Sequence, residues 1–318
     1  MSTFPAAALF ATMAVIRAFE TRVAELYKAG EIPGFVHTSL GQEAVAAGVG
    51  AALAPGDYVA TTHRGHGHCL ARGVDLDAMT AELFAREGGV CHGKGGSMHI
   101  ADPSKGVLGA NAIVGASLPL GVGAGLSSKL LRQARVSAAF FGEGAVNQGA
   151  FHEAVNLAAI WDLPVLFVCE NNVYAEFSDS RRMTRVPSVV ERTAAYGIDA
   201  EEVDGNDAEA VYALARRAAA LCREGRGPFL IEAATYRHHG HYEGDPQAYK
   251  PDDEAAAWRD RDPLSVTAQR LVERGEASQE ELDAITAQAA ERVDAAVERA
   301  RTLPAPDRDE AFADVFGD

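Results

Sequence analysis

The chain has 318 residues, 47% of them apolar, with 29 lysines and arginines against 45 aspartates and glutamates, a net charge of −16. That apolar share supports a large core, while the acidic balance excludes nucleic acid or an anionic membrane surface as partner, since both recruit basic patches. No apolar run reaches membrane-spanning length, no secretory leader pattern opens the sequence, and Cys69, Cys91, Cys169 and Cys222 sit at neither metal-knuckle nor disulfide spacing, so the expected compartment is a reducing cytoplasm.

Residues 4–29 carry Phe10, Met13, Ile16, Phe19 and Val23 at helical spacing, and Gly30 marks the end of that helix. Ser39 followed by Gln42 has the spacing of a capping box for a helix running to Leu53. Pro55, Gly56 and Asp57 form a turn, and residues 58–62 lead as a short strand into His63-Arg64-Gly65-His66-Gly67-His68. Zinc is disfavoured there, because no acid or cysteine stands nearby at ligand spacing. A helix is expected over 75–87, beginning at Asp75. The next thirty-odd residues are glycine-rich and aperiodic, but Met98, Ile100, Val107, Ile113 and Val114 argue for an ordered, functional loop. Residues 119–131 read as a helix despite Gly121, Gly123 and Gly125. Each such glycine costs about 0.5–1 kcal/mol relative to alanine, which close packing against another backbone would offset.

The most informative stretch is 136–172. Two apolar runs, 136–141 and 164–169, flank a segment with Phe151, Val155, Ala158 and Ala159 at helical spacing, a strand–helix–strand unit with a buried parallel pair. Both strands then end on one rim of the sheet, where ligands of open α/β sheets bind. That brings Gly142-Glu143-Gly144 and Asn171-Asn172 together as an oxygen-only set suited to Mg²⁺ or Ca²⁺, with glycines that let backbone approach a phosphate. Residues 172–188 read as a polar, mobile loop. A helix from Ser188, a strand over 198–203, a helix over 207–223 and a strand over 228–236 continue the alternation. The fold class is therefore α/β, a mostly parallel sheet with helices on both faces.

Residues 236–250, rich in histidine and charge, follow the last strand and so lie on the same rim; their composition predicts few apolar contacts and a mobile loop. From Pro263 the chain is helical, with a Ser278–Glu281 capping box and an apolar stripe of Leu282, Ile285, Ala289, Val293 and Val297. Residues 304–318 read as a tail anchored by Phe312 and Phe316. The expected organisation is one domain over 1–318, with an N-terminal helical extension (1–30) and C-terminal helices plus tail (263–318).

Gly142-Glu143-Gly144, a spacer of under thirty residues and then Asn171-Asn172 resemble the thiamin diphosphate motif. With 62–68, 94–99, 111–121 and 236–250, the resemblance extends over nearly the whole chain to the alpha subunits of thiamin diphosphate-dependent 2-oxo acid dehydrogenases. The acetoin dehydrogenase group is closest, the pyruvate group second, and branched-chain 2-oxo acids remain possible substrates. The resemblance implies a transketolase-like thiamin diphosphate fold, with Mg²⁺ held by Glu143 (where the family usually has Asp), Asn172 and the main chain of Tyr174. It implies that Arg64 grips the diphosphate with His63 nearby, that Gly142, Gly144, Ala145 and Asn172 line it, and that the main chain at Ala112 and Val114 holds the aminopyrimidine. His241 is expected beside diphosphate and substrate and, with His66, in catalysis; Arg237, His239 and Asp245 would shape its loop. Tyr242 stands where mitochondrial relatives carry a phosphorylated serine, so that switch is not expected at this position.

The implied chemistry is cleavage of a C–C bond next to a carbonyl in a small-molecule substrate, the acyl fragment passing to a lipoyl-bearing acyltransferase. The glutamate that activates the cofactor belongs, in such two-gene enzymes, to a beta subunit, which implies two alpha plus two beta subunits and no activity alone. Two rival readings are a zinc hydrolase using Glu143 with His63, His66 and His68, and a degenerate subunit that binds a partner but no cofactor.

Overall fold

The computed structural model describes residues 6–313. Six strands form one sheet: β1 (Tyr58–Ala60), β2 (Val107–Gly109), β3 (Ser137–Gly142), β4 (Val165–Asn171), β7 (Asp199–Asp204) and β8 (Phe229–Ala234). Their order is β2-β1-β3-β4-β8-β7, and every neighbouring pair is parallel. Between β4 and β7 a two-stranded hairpin, β5 (Tyr174–Ala175) and β6 (Ser178–Asp179), folds over the sheet's rim.

The central strands explain why parallel sheets read as continuous apolar runs, since both faces are covered. Ala138 and Phe140 of β3 and Leu166 and Val168 of β4 face helices α2 (Glu43–Ala52) and α8 (Ala208–Leu221). Ala139, Phe141, Val165, Phe167 and Cys169 face the opposite way, against α5 (Ser117–Leu130), α6 (Gly149–Ile160) and α7 (Val189–Thr193). β7 lies at the edge and is acidic, with Asp199, Glu201, Glu202 and Asp204, a composition that discourages pairing with another sheet.

An outer layer joins the two ends of the chain. Helix α1 (Ala6–Lys28) packs against α11 (Gln279–Thr302), and α11 against α4 (Leu76–Leu83). Phe19 and Val23 meet Val293, Val297 and Ala300 there, so the apolar stripe of α11 packs on its own chain. The Ser278–Glu281 capping box is present, and Asp75 caps α4.

Several expectations are corrected. Ser39 caps nothing: its hydroxyl and N–H both bond Glu20, and α2 begins after Gln42 without a side-chain cap. The histidine-rich segment is a loop only as far as Gly65, because α3 (His66–Ala71) starts inside it. The strand β2 and the helix α9 (Asp252–Arg259) lie where no regular element was predicted. Residues 172–188 contain the β5–β6 hairpin, held by Ser180 N–H donating to Val173 O. Phe312 is 81% exposed and anchors nothing, while Phe316 lies outside the described residues. Among the described residues, no helix is long and apolar enough to cross a membrane.

Candidate active site

In the strand order the connections reverse direction between β1 and β3, and the crevice outside the carboxyl ends of strands at such a point is where α/β sheets bind ligands. A cleft of about 360 Å³ occupies that place. Its wall takes Thr62, His63 and Arg64 from beyond β1, and Asn111, Ile113, Val114 and Gly115 from beyond β2. Residues 141–145 come from the end of β3, Glu170 and Asn172 from β4 and beyond, and Arg237 and His241 from beyond β8.

Glu143 is 7% exposed, and its Oε2 accepts the backbone N–H of Asn172 at 3.1 Å. Its other oxygen, Oε1, is buried without a hydrogen-bond partner. Burial pushes this carboxyl up to about 7. A buried carboxylate oxygen with no donor is costly unless something else satisfies it, and a cation is the group that does so for an acceptor-only side chain. The Asn172 side chain lies beside it, its Oδ1 accepting the Tyr174 N–H at 3.4 Å. These donors are all oxygens, so the site fits a hard ion such as Mg²⁺. Gly144 is where the hairpin closes on this turn: a Cβ there would meet the Cβ of Ala175 at 2.7 Å.

Two buried arginines line the same cleft. Arg64 donates to Thr38 O at 2.9 Å and to the carbonyl of His241, and its Nη2 lies 3.1 Å from His241 Nδ1. Burial, then Arg237, lowers its pKa to about 9. Arg237 is 1% exposed, donates to the carbonyls of Tyr174 and Glu176 at 3.4 and 2.9 Å and to Tyr249 Oη at 2.7 Å, and leaves Nε unpartnered. Two guanidiniums in one wall with the Glu143 oxygen set make a cleft suited to an anion that carries its own cation.

The 236–250 loop is better supplied with contacts than its composition suggested. Asp245 accepts from the N–H groups of His241 and Gln247 and from Tyr249 Oη, and Lys250 donates to Arg237 O and His239 O. Tyr236 stacks on Trp258 of α9 at 5.6 Å, so the helix missing from the prediction is what the loop packs against.

The remaining expected residues divide. His63, Arg64, Val114, Gly142, Glu143, Gly144, Ala145, Asn172, Tyr174 and His241 all line the cleft. Ala112 lies between two lining residues without lining the cleft itself, and Ile113 and Val114 are 71% and 50% exposed rather than packed in the core. His66 is not brought there: fully buried, it bonds Glu20 through Nδ1 and Ser97 through Nε2, both at 2.9 Å, and braces α1 to the glycine-rich loop. His68 is likewise held between Thr61 and Glu170 and stacks on Phe140, so the trio His63, His66 and His68 does not converge. Sequence reasoning missed Gln148 and Glu170 in the wall, and His37 beside it. The only signal for His37 was its place in an aperiodic stretch between Gly34 and the following helix.

An open, wholly parallel sheet with an acid–amide oxygen set and two arginines lining the cleft at its switch point defines the class as an open α/β protein with a rim site. The chain belongs to the dehydrogenase E1 component family, which it matches over residues 11–308. It is 46% identical over 309 residues to the alpha subunit of acetoin:2,6-dichlorophenolindophenol oxidoreductase of Bacillus subtilis, covering 97% of this chain and 92% of that one. The same subunit of Cupriavidus necator is 45% identical, with 97% and 93% covered. The alpha subunit of the pyruvate dehydrogenase E1 component of Rhizobium meliloti is 40% identical over 305 residues, with 96% and 88% covered. Membership makes this chain a component of an oxidoreductase and implies thiamin diphosphate as the cofactor.

Proposed function

We propose that the chain is the alpha subunit of an acetoin-cleaving, thiamin diphosphate-dependent dehydrogenase that holds Mg²⁺ through Glu143, Asn172 and the main chain of Tyr174. The single observation that carries the metal assignment is the orphaned, buried Oε1 of Glu143 beside Asn172 at the switch point. When bound, the cofactor supplies the nucleophile that cleaves the bond next to a carbonyl. This chain's residues bind and orient: Arg64 and Arg237 supply positive charge for a diphosphate, and the main chain at Val114 borders the cleft where a ring would be held. His241, fixed by Arg64 and Asp245, presents a neutral imidazole to the substrate side, because burial and the two arginines hold its pKa at about 4.

That the similar chains are named alpha subunits supports a beta subunit as partner, and the reading includes two of each in the assembly and a lipoyl-bearing acyltransferase as acyl acceptor. The four free thiols support a cytoplasmic location. Preference for acetoin over pyruvate rests on the higher identity to the acetoin enzymes. Calorimetry with thiamin diphosphate, with and without Mg²⁺, followed by assay with the beta subunit on acetoin, pyruvate and branched 2-oxo acids, tests the reading. Binding independent of Mg²⁺ overturns the metal assignment, turnover of pyruvate alone overturns the substrate, and no cofactor binding at all makes this a degenerate subunit.

A further inference from the structure

Three imidazoles converge beside the cleft from distant parts of the chain: His37 from the segment after α1, His63 from beyond β1 and His241 from beyond β8. Their ring centroids lie 4.8 Å (His37–His63), 5.1 Å (His37–His241) and 5.8 Å (His63–His241) apart. One ligand nitrogen from each lies within 4.8 Å of the other two. His37 is 8% exposed, and its Nδ1 is buried without a partner. We propose that His37, His63 and His241 form a second metal site, which binds one borderline-soft divalent ion of the zinc, cobalt or nickel type and is separate from the oxygen set at Glu143.

Chemistry separates the two sites. Carboxylate and amide oxygens suit Mg²⁺, whereas three imidazoles suit zinc-like ions and offer Mg²⁺ nothing. Metal–nitrogen bonds of about 2.0–2.1 Å place tetrahedral ligands about 3.4 Å apart, so each ring nitrogen moves inward by about an ångström to close the site. Neutral imidazole is the ligating form, and the unpartnered Nδ1 of His37 has a lone pair or proton that no other group among the described residues takes up. Three protein ligands leave a fourth position open for water or an anion, the arrangement of an exchangeable rather than a purely structural site. The Arg64 guanidinium, 3.1 Å from His241 Nδ1, opposes a bare dication and favours an anion in that fourth position. Because His63 and His241 also line the cleft, an ion held here obstructs it.

The test uses the full chain, free of affinity tag, metal and thiamin diphosphate, titrated with Co²⁺. The expected result is an intense visible d–d absorption of tetrahedral type that saturates at one equivalent, is bleached by Zn²⁺ and is unmoved by excess Mg²⁺. His37→Gln and His63→Gln should each weaken Co²⁺ binding at least tenfold, while His99→Ala, outside the cluster, should leave it unchanged. Absorption that stays at the weak octahedral level overturns the proposal, as do bands that survive both glutamine variants or are displaced by Mg²⁺. Neither result bears on the Mg²⁺ assignment at Glu143, which is read with thiamin diphosphate by calorimetry.

Discussion

Helix α5 offers a controlled comparison, because its three glycines differ only in what stands opposite them. A Cβ on Gly121 would lie 2.7 Å from the Cβ of Ala139 on β3, and one on Gly125 would lie 2.6 Å from Cγ2 of Val165 on β4. A Cβ on Gly123 would meet nothing within 4 Å. All three gain the same helix-propensity benefit from alanine, about 0.5–1 kcal/mol. Carbon–carbon contacts settle at about 3.5–4.0 Å, so the first two variants must push the helix off the sheet by close to an ångström, an overpacking cost of about 1–3 kcal/mol. Ala139 has no rotamer with which to yield, whereas Val165 has a stiff one, so Gly121→Ala should be the worse. Gly123→Ala is therefore expected to raise stability by about 0.5–1 kcal/mol, and Gly121→Ala to lower it by about 1–2 kcal/mol. Thermal unfolding of the three variants, followed by circular dichroism in one buffer, should move the midpoint up for Gly123 and down for the other two, by a few degrees each. If all three midpoints shift the same way, close approach is not what keeps glycine at 121 and 125.

Asn172→Ala removes only a 3.4 Å hydrogen bond to Tyr174 N–H from the folded chain, so unfolding should shift by less than about 1 kcal/mol. Calorimetry should meanwhile show Mg²⁺-dependent cofactor binding weakened at least about tenfold. Glu82 is fully buried and accepts four N–H groups, from Cys91 and Gly93 on one oxygen and Gly95 and Gly96 on the other. Glu82→Gln turns an amide nitrogen toward two of those donors, which should cost about 3–6 kcal/mol and appear as faster hydrogen exchange across 91–96. Unchanged exchange there would remove Glu82 as the clasp of the glycine-rich loop. His37 and His241 are held neutral, at about 3 and 4, against about 6.5 in an unfolded chain. Between pH 6.5 and about 4 the unfolded chain therefore binds more protons, so stability rises with pH across that window and falls as the solution is acidified. Melting at pH 5 should come several degrees below pH 7, and His37→Gln should flatten that slope.

Most of the sheet was legible, because each central strand is apolar on both faces and ends at a glycine or an acid–amide pair. The rim site was legible for the same reason, since strand polarity places Glu143 and Asn172 together whatever the intervening helix does. Other features had no local signal. β2 is three residues long and lies inside a glycine-rich loop, so it offers no period to read. α9 opens with three acids that look like loop, and its value lies in Trp258 meeting Tyr236. Ser39 and His66 misled for one shared reason: the partner of both is Glu20, a charged residue buried in an otherwise apolar helix. Position 20 falls on the apolar face of its helix, four residues after Ile16 and three before Val23, but a carboxylate there gives no sign of which polar groups it serves until the tertiary contacts are seen.

The strand order also constrains how the chain reaches its native state. β8 comes last in the sequence, yet it lies between β4 and β7 and bonds to both. Until residues 229–234 have left the ribosome, β4 shows an open edge of apolar residues and β7 has no neighbour at all. A nascent chain in that state is exposed to pairing with other strands, the usual route to aggregation of slow parallel sheets. Arg237 and His241 lie just beyond the same strand, so the step that closes the sheet also delivers the last wall of the cleft. Chains truncated before Phe229 should therefore be insoluble rather than merely inactive, and any chaperone contact should concentrate in the interval before β8 inserts.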